Sequence, residues 1–209
     1  LWSSSWEVAG ESSNHIDLSI RGPVTGALLT KKITVEGSRV TVDYRLEHTG
    51  AAPLHHMFKL HPAIAINDSC SLELPGGRVE QVDPEFGNIL GNLLETTWLD
   101  VRSTLLGQCR PARSGSREFV YVSDLPAGWC GVADLDAGAR LRIEYPQEIF
   151  PYCWLFITYG GWRDHNVVVL EPCTNHPKDL ATAVARGTSA VLAPGEVREF
   201  TVAMTVEGL

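Results

Sequence analysis

The chain contains no run of about 18 or more consecutive apolar residues, so it offers no segment of the length that a membrane-spanning helix requires. Its opening stretch, Leu1-Trp2-Ser3-Ser4-Ser5-Trp6, does not resemble a basic leader followed by an apolar secretory core. Positive charge is scarce: 17 Lys and Arg stand against 25 Asp and Glu, a formal net charge of -8. Binding to a nucleic-acid backbone needs a clustered Lys/Arg footprint, so neither nucleic acid nor membrane is an expected partner. A neutral small molecule fits the charge balance better. Cysteine is also sparse and ill-spaced for metal or redox work. Cys70, Cys109, Cys130, Cys153 and Cys173 form no C-x-x-C pair. An odd number in strand-like surroundings reads as reduced, buried thiols in a cytoplasmic protein, the alternative being a secreted chain with one or two disulfides.

What the sequence has in quantity is strand signal. Leu28 to Val35 and Arg39 to Glu47 are β-rich runs around Glu36-Gly37-Ser38, the pattern of a hairpin. In the second run Val40, Val42, Tyr44 and Leu46 alternate with Thr41, Asp43, Arg45 and Glu47, as in a half-buried antiparallel strand. Similar runs lie at Glu118 to Leu125, Gly128 to Leu135, Ala139 to Tyr145, Trp154 to Tyr159, Val167 to Glu171 and Glu199 to Val206. Many short strands with turn residues between them predict an all-β sandwich or barrel. Helix is expected at Lys178 to Arg186, between Pro177 and Gly187. Asp83 to Thr97 is expected to hold a further turn or two, and Arg110 to Arg117 an exposed loop. With no linker or internal repeat, residues 1–209 read as one domain.

Two segments share a form suited to chemistry: a buried-looking strand, an ionisable residue, then proline. In His55-His56-Met57-Phe58-Lys59-Leu60-His61-Pro62, strand alternation puts Lys59 and His61 side by side on one face. In Val167-Val168-Val169-Leu170-Glu171-Pro172 both faces are apolar, so Glu171 closes an interior strand. Proline cannot donate to a ladder, so each strand is expected to stop or kink there. A partly desolvated carboxylate beside an imidazole forms an acid/base pair usable near neutral pH. The competing reading is structural: His61 satisfied by a carbonyl and Glu171 paired with Lys59 or an arginine. His55, His56 and His61 also raise the question of a metal site. His55 and His56 face opposite ways and no second ligand cluster follows, so no metal is expected.

Lys59-Leu60-His61-Pro62-Ala63 resembles the His-Pro segment that supplies a catalytic histidine in the aldose 1-epimerase (galactose mutarotase-like) superfamily. Pro151 to Trp154, with Val168-Val169-Leu170-Glu171-Pro172, resembles its late strand pair, whose glutamate is the catalytic base. Asn175-His176-Pro177 and Leu192-Ala193-Pro194-Gly195-Glu196 are similar to later segments of the same superfamily, and the order and spacing agree over most of the chain. The resemblance implies a large antiparallel β-sandwich, the galactose mutarotase-like supersandwich, lacking some N-terminal strands, with a sugar cleft and no cofactor. It implies that Glu171 accepts the proton of an anomeric hydroxyl while His61 protonates the ring oxygen, with Lys59 available to hydroxyls or an acidic group. Trp2, Trp6, Trp154 and Trp162 are possible platforms for sugar C–H faces, Trp2 and Trp154 being the ligand-contact candidates. Core packing is the competing reading for Trp6 and Trp154.

The superfamily also uses a second histidine, commonly followed by glycine, whose position here falls just before residue 1. His15, in Ser13-Asn14-His15-Ile16-Asp17, does not match that motif. Three readings therefore stand: a mutarotase-like isomerase, a carbohydrate-binding or sensing domain without catalysis, and an accessory sandwich domain of a larger enzyme.

Overall fold

The computed structural model describes residues 4–209, so Trp2 lies outside the described residues. Two antiparallel sheets carry the fold. The larger is assembled in the spatial order β1 (Glu7–Glu11), β2 (His15–Arg21), β3 (Leu28–Glu36), β4 (Arg39–Glu47), β16 (Val197–Gly208), β12 (Ala139–Glu144), β11 (Trp129–Asp134) and β7 (Cys70–Glu73). The smaller runs β6 (Ala63–Ala65), β14 (Asn166–Cys173), β13 (Tyr152–Tyr159), β10 (Ser116–Ser123), β8 (Arg78–Gln81) and β9 (Glu95–Thr97). A separate pair joins β5 (Leu54–His56) to β15 (Ala190–Leu192). This is the antiparallel sandwich that the strand pattern predicts.

Alternation explains how the layers meet. Val42 and Leu46 of β4 point inward and are buried, and the β3–β4 hairpin closes at Gly37, whose φ of +58° suits a residue without a Cβ. The main core lies between the sheets, where Val120, Leu155, Ile157, Val168 and Leu170 of the smaller sheet meet Leu72, Cys130, Ile143 and Val202 of the larger. β13 and β14 are covered on both faces, which is why they read as nearly continuous apolar runs. A second cluster, around Tyr121, Trp154 and Cys173, lies on the far side of the smaller sheet. That outer face is where the candidate site forms. All five cysteines are free and buried.

Two expectations need correction, and a third is met in part. The segment from His55 to Ala63 is not one strand: β5 pairs with β15 and ends at His56, and an irregular stretch leads to β6. β14 does not stop at Glu171 but continues through Pro172 to Cys173. The Pro172 carbonyl accepts from Leu60 N–H at 3.0 Å, so its backbone N also faces that side and the pairing with β13 needs nothing from it. Residues Asp83 to Thr97 hold one helix-like turn, closed by Gly87 N–H to the Asp83 carbonyl at 2.9 Å, and then β9; a short helix, α1 (Trp98–Val101), starts just after them, capped by Thr97. The expected C-terminal helix is present as α2 (Leu180–Arg186). It starts late because the Asp179 carboxylate caps Thr182 N–H at 2.7 Å, and it ends on left-handed Gly187.

Candidate functional site

The register of β14 brings the site together. Val167, Val168 and Val169 pair with Ala65, Ile64 and Ala63, and an isolated bridge joins Lys59 to Cys173 in the same register. Continuing that register sets His61 opposite Glu171. The ladder between these points is broken because Pro62 and Pro172 lack N–H donors, yet the chain stays extended enough for alternation to hold. Lys59 and His61 thus project to the outer face beside Glu171, although no regular strand carries them there.

Glu171 is the buried member of the group, its side chain 3% exposed, against 26% for Lys59 and 34% for His61. The Lys59 ammonium donates to Glu171 Oε2, and His61 Nε2 lies 3.6 Å from Oε1. Burial raises the Glu171 carboxyl above its ordinary range. The hydrogen bond and charge of Lys59, and then the charge of His61, oppose that rise without cancelling it. The result is a carboxylate that holds its proton more readily than an exposed glutamate, directly beneath two basic groups.

The surroundings fix this arrangement. Trp154 pairs with Glu171 across β13 and β14, lies under Lys59 with the ammonium 5.0 Å from the ring centroid, and donates from Nε1 to the Asn175 carbonyl at 3.1 Å. It is 2% exposed, so its ring supports Lys59 from below. Phe58 and Thr174 tie the irregular segment to the end of β14 through Phe58 N–H to Thr174 Oγ1 at 2.9 Å and Thr174 N–H to the Phe58 carbonyl at 3.0 Å. The nearby Cys173 thiol is pushed up to about 12 by burial, which removes it as a nucleophile at neutral pH. A groove of about 720 Å³ adjoins the group and is lined by Lys59 and His61 together with Trp6, Lys31 and Tyr44. Glu171 does not line it directly; it sits behind Lys59 and His61. Trp6 packs against Lys31, whose ammonium is 4.2 Å from the ring centroid.

Sequence reasoning therefore assembled Lys59, His61 and Glu171, and missed the aromatic floor that continues from them. Phe119 touches Trp154 at 6.1 Å between centroids and Phe156 at 6.0 Å, and Phe156 meets Phe86 and Trp162, each at 5.4 Å. It also missed Glu118, wholly buried on the inner face of β10. His55 bonds to Ser189 at 2.8 Å, far from a shared ligand geometry with His61. Among the described residues no group of three or more His, Cys, Asp and Glu converges as a metal site, and no helix is long and apolar enough to cross a membrane.

No protein-family model matches the chain, and no curated protein matches it. Solved structures do. A candidate aldose 1-epimerase from Escherichia coli K12 superposes over 100% of this chain with a TM-score of 0.77 at 15% identity. Another from Klebsiella pneumoniae covers 96% with a TM-score of 0.72 at 10% identity, and a galactose mutarotase-related enzyme from Lactobacillus acidophilus 98% with 0.71 at 8%. The chain spans 70%, 53% and 72% of those three structures, respectively. At these identities the likeness shows the fold: the chain has the galactose mutarotase-like sandwich.

Proposed function

We propose that this chain, on the sandwich it shares with the galactose mutarotase-like proteins, opens and recloses sugar hemiacetal rings and so exchanges anomers. The observation that carries the reading is the His61–Glu171 approach of 3.6 Å on a buried carboxylate whose proton affinity is raised. The anomeric oxygen and the ring oxygen are bonded to the same carbon. A base for one and an acid for the other must therefore lie within a few ångströms of each other, as these two side chains do.

In the forward step Glu171 takes the proton of the anomeric hydroxyl, the bond between C1 and the ring oxygen breaks, and His61 delivers its proton to that oxygen. The open-chain aldehyde then rotates about its C1–C2 bond. Reclosure runs the transfers backwards: His61 recovers a proton from the attacking hydroxyl and Glu171 returns one to the carbonyl oxygen. Both residues end as they began, and no cofactor enters the balance. Lys59 holds Glu171 Oε2 and orients the carboxylate, with Oε1 turned toward His61.

One observation favours a second reading, sugar binding without turnover. Glu171 is almost fully covered and already bridged by Lys59, which limits its access to a substrate. Adding the purified chain to freshly dissolved α-anomers of a panel of aldoses, followed by proton NMR, separates the two. Acceleration over the spontaneous rate supports isomerisation; saturation-transfer signals without acceleration favour binding alone.

A further inference from the structure

We propose that the site extends beyond one ring: Phe86, Phe156 and Trp162 form a clamp for a second sugar, making the ligand the reducing end of an oligosaccharide. The proposal rests on the reading of the Glu171 end as a sugar site. Phe156 is two residues beyond Trp154 on β13 and one strand across from β14, about 8 Å from Glu171 by strand geometry. That is one ring and its glycosidic oxygen away from the reacting carbon.

The clamp is built with more than apolar contact. Arg117 donates from Nε to the Phe86 carbonyl at 2.7 Å and from Nη1 to the Gly161 carbonyl at 2.6 Å, and its guanidinium lies 5.0 Å from the centre of the Phe86 ring. One side chain thus ties two separate loops so that their aromatic rings flank Phe156. The second loop is strained. Arg163 and Asp164 occupy the central positions of the turn closed by His165 N–H to the Trp162 carbonyl, with φ of +51° and +57°. Both central positions of such a turn favour Asn or Gly, and an ordinary side chain in this conformation costs roughly 1 kcal/mol or more. Thr158 Oγ1 accepts from Trp162 N–H at 3.0 Å and completes the fixing of that loop.

All this rigidity leaves the three rings half-buried. Rings held only for core packing would be covered, as Trp154 is. Half-covered aromatic faces suit the C–H face of a pyranose, and Arg163, stacked 4.7 Å from the centre of Trp162, brings guanidinium donors to the rim for hydroxyl groups. The run of ring contacts from Trp154 through Phe119 and Phe156 to Trp162 ties the clamp to the strand that pairs with Glu171.

The test is calorimetric titration of the full chain with glucose, maltose and cellobiose, and with galactose beside a galactose-terminated disaccharide, alongside NMR anomer exchange. At least one disaccharide is expected to bind roughly tenfold tighter than its reducing-end monosaccharide, equivalent to about 1.4 kcal/mol. Trp162→Ala and Arg163→Ala are expected to erase that gain and leave monosaccharide affinity unchanged, while Glu171→Gln keeps the gain. The comparison in the unmodified chain overturns the proposal by itself if every disaccharide binds no tighter than its monosaccharide. If monosaccharides exchange anomers but no disaccharide gain appears, the clamp is wrong and the function stands. If the gain appears without exchange, the clamp stands and the isomerase reading fails.

Discussion

Replacing Glu118 with alanine should destabilise this protein more than any exposed substitution, because its buried carboxylate holds a loop through several donors at once. Oε2 accepts from the backbone N–H groups of Ile89 at 3.1 Å and Leu90 at 3.0 Å, and Oε1 accepts from Phe119 N–H at 3.1 Å. The Gln81 amide donates to both oxygens, at 3.1 and 3.2 Å. Each buried donor left without an acceptor costs roughly 1–3 kcal/mol. Four donors set an upper range near 4–12 kcal/mol, and water entering the vacated space recovers part of it. We expect a loss of about 3–5 kcal/mol, toward the lower end of that range because water can satisfy some of the vacated donors. Urea unfolding with a check that the m-value is unchanged measures it. Hydrogen exchange should locate the effect, with amides 89 and 90 losing protection first. A loss below about 1 kcal/mol with those amides still protected would refute the reasoning.

Two further predictions concern the Glu171 group. Lys59→Met keeps the apolar stem over Trp154 but removes the cation that opposes burial, so the Glu171 carboxyl should rise further. If Glu171 must be ionised to act, the acid limb of the pH–rate profile should shift to higher pH than in the unmodified chain; an unchanged or lower limb contradicts the assignment. Stability should respond with a definite sign. Burial raises the folded-state pKa of Glu171 above its unfolded value, so its contribution favours folding at low pH and is lost as pH rises through the folded value. Glu171→Gln at pH 8 should therefore cost less than about 1 kcal/mol or be stabilising, since Lys59 is partly exposed and can turn its ammonium to water. Chemical unfolding at pH 8 and pH 5 checks this, and a loss above about 3 kcal/mol would contradict it.

The two-sheet architecture was readable because β4 displays period-two alternation over nine residues, while β13 and β14, covered on both faces, stand out as short apolar runs. Alternation also placed Lys59 and His61 on one face and did so despite the failure of the strand itself. Side-chain direction survives in an extended chain whose ladder is interrupted at proline. Where β14 ends was misread because the tolerance of Pro172 depends on which neighbour its nitrogen faces, a tertiary fact. The aromatic floor was not legible either. Phe86, Phe119 and the Phe156–Trp162 segment lie far apart in the sequence, and the pairing of β10 with β13 and the Arg117 bonds gather them. Glu118 left a trace that could have been used: it falls in phase with Ser116, Val120 and Val122, a charge on an otherwise inward-facing row.

The most direct test of the central claim is the rate of anomer exchange per molecule of the unmodified chain against Glu171→Gln and His61→Gln, each verified as folded by near-ultraviolet circular dichroism. On the preferred sugar, the account predicts that both substitutions reduce the exchange rate by about 100- to 10,000-fold, the weight of a positioned acid or base. Equal rates in all three proteins, or no exchange above the spontaneous rate with any aldose or disaccharide, would contradict it.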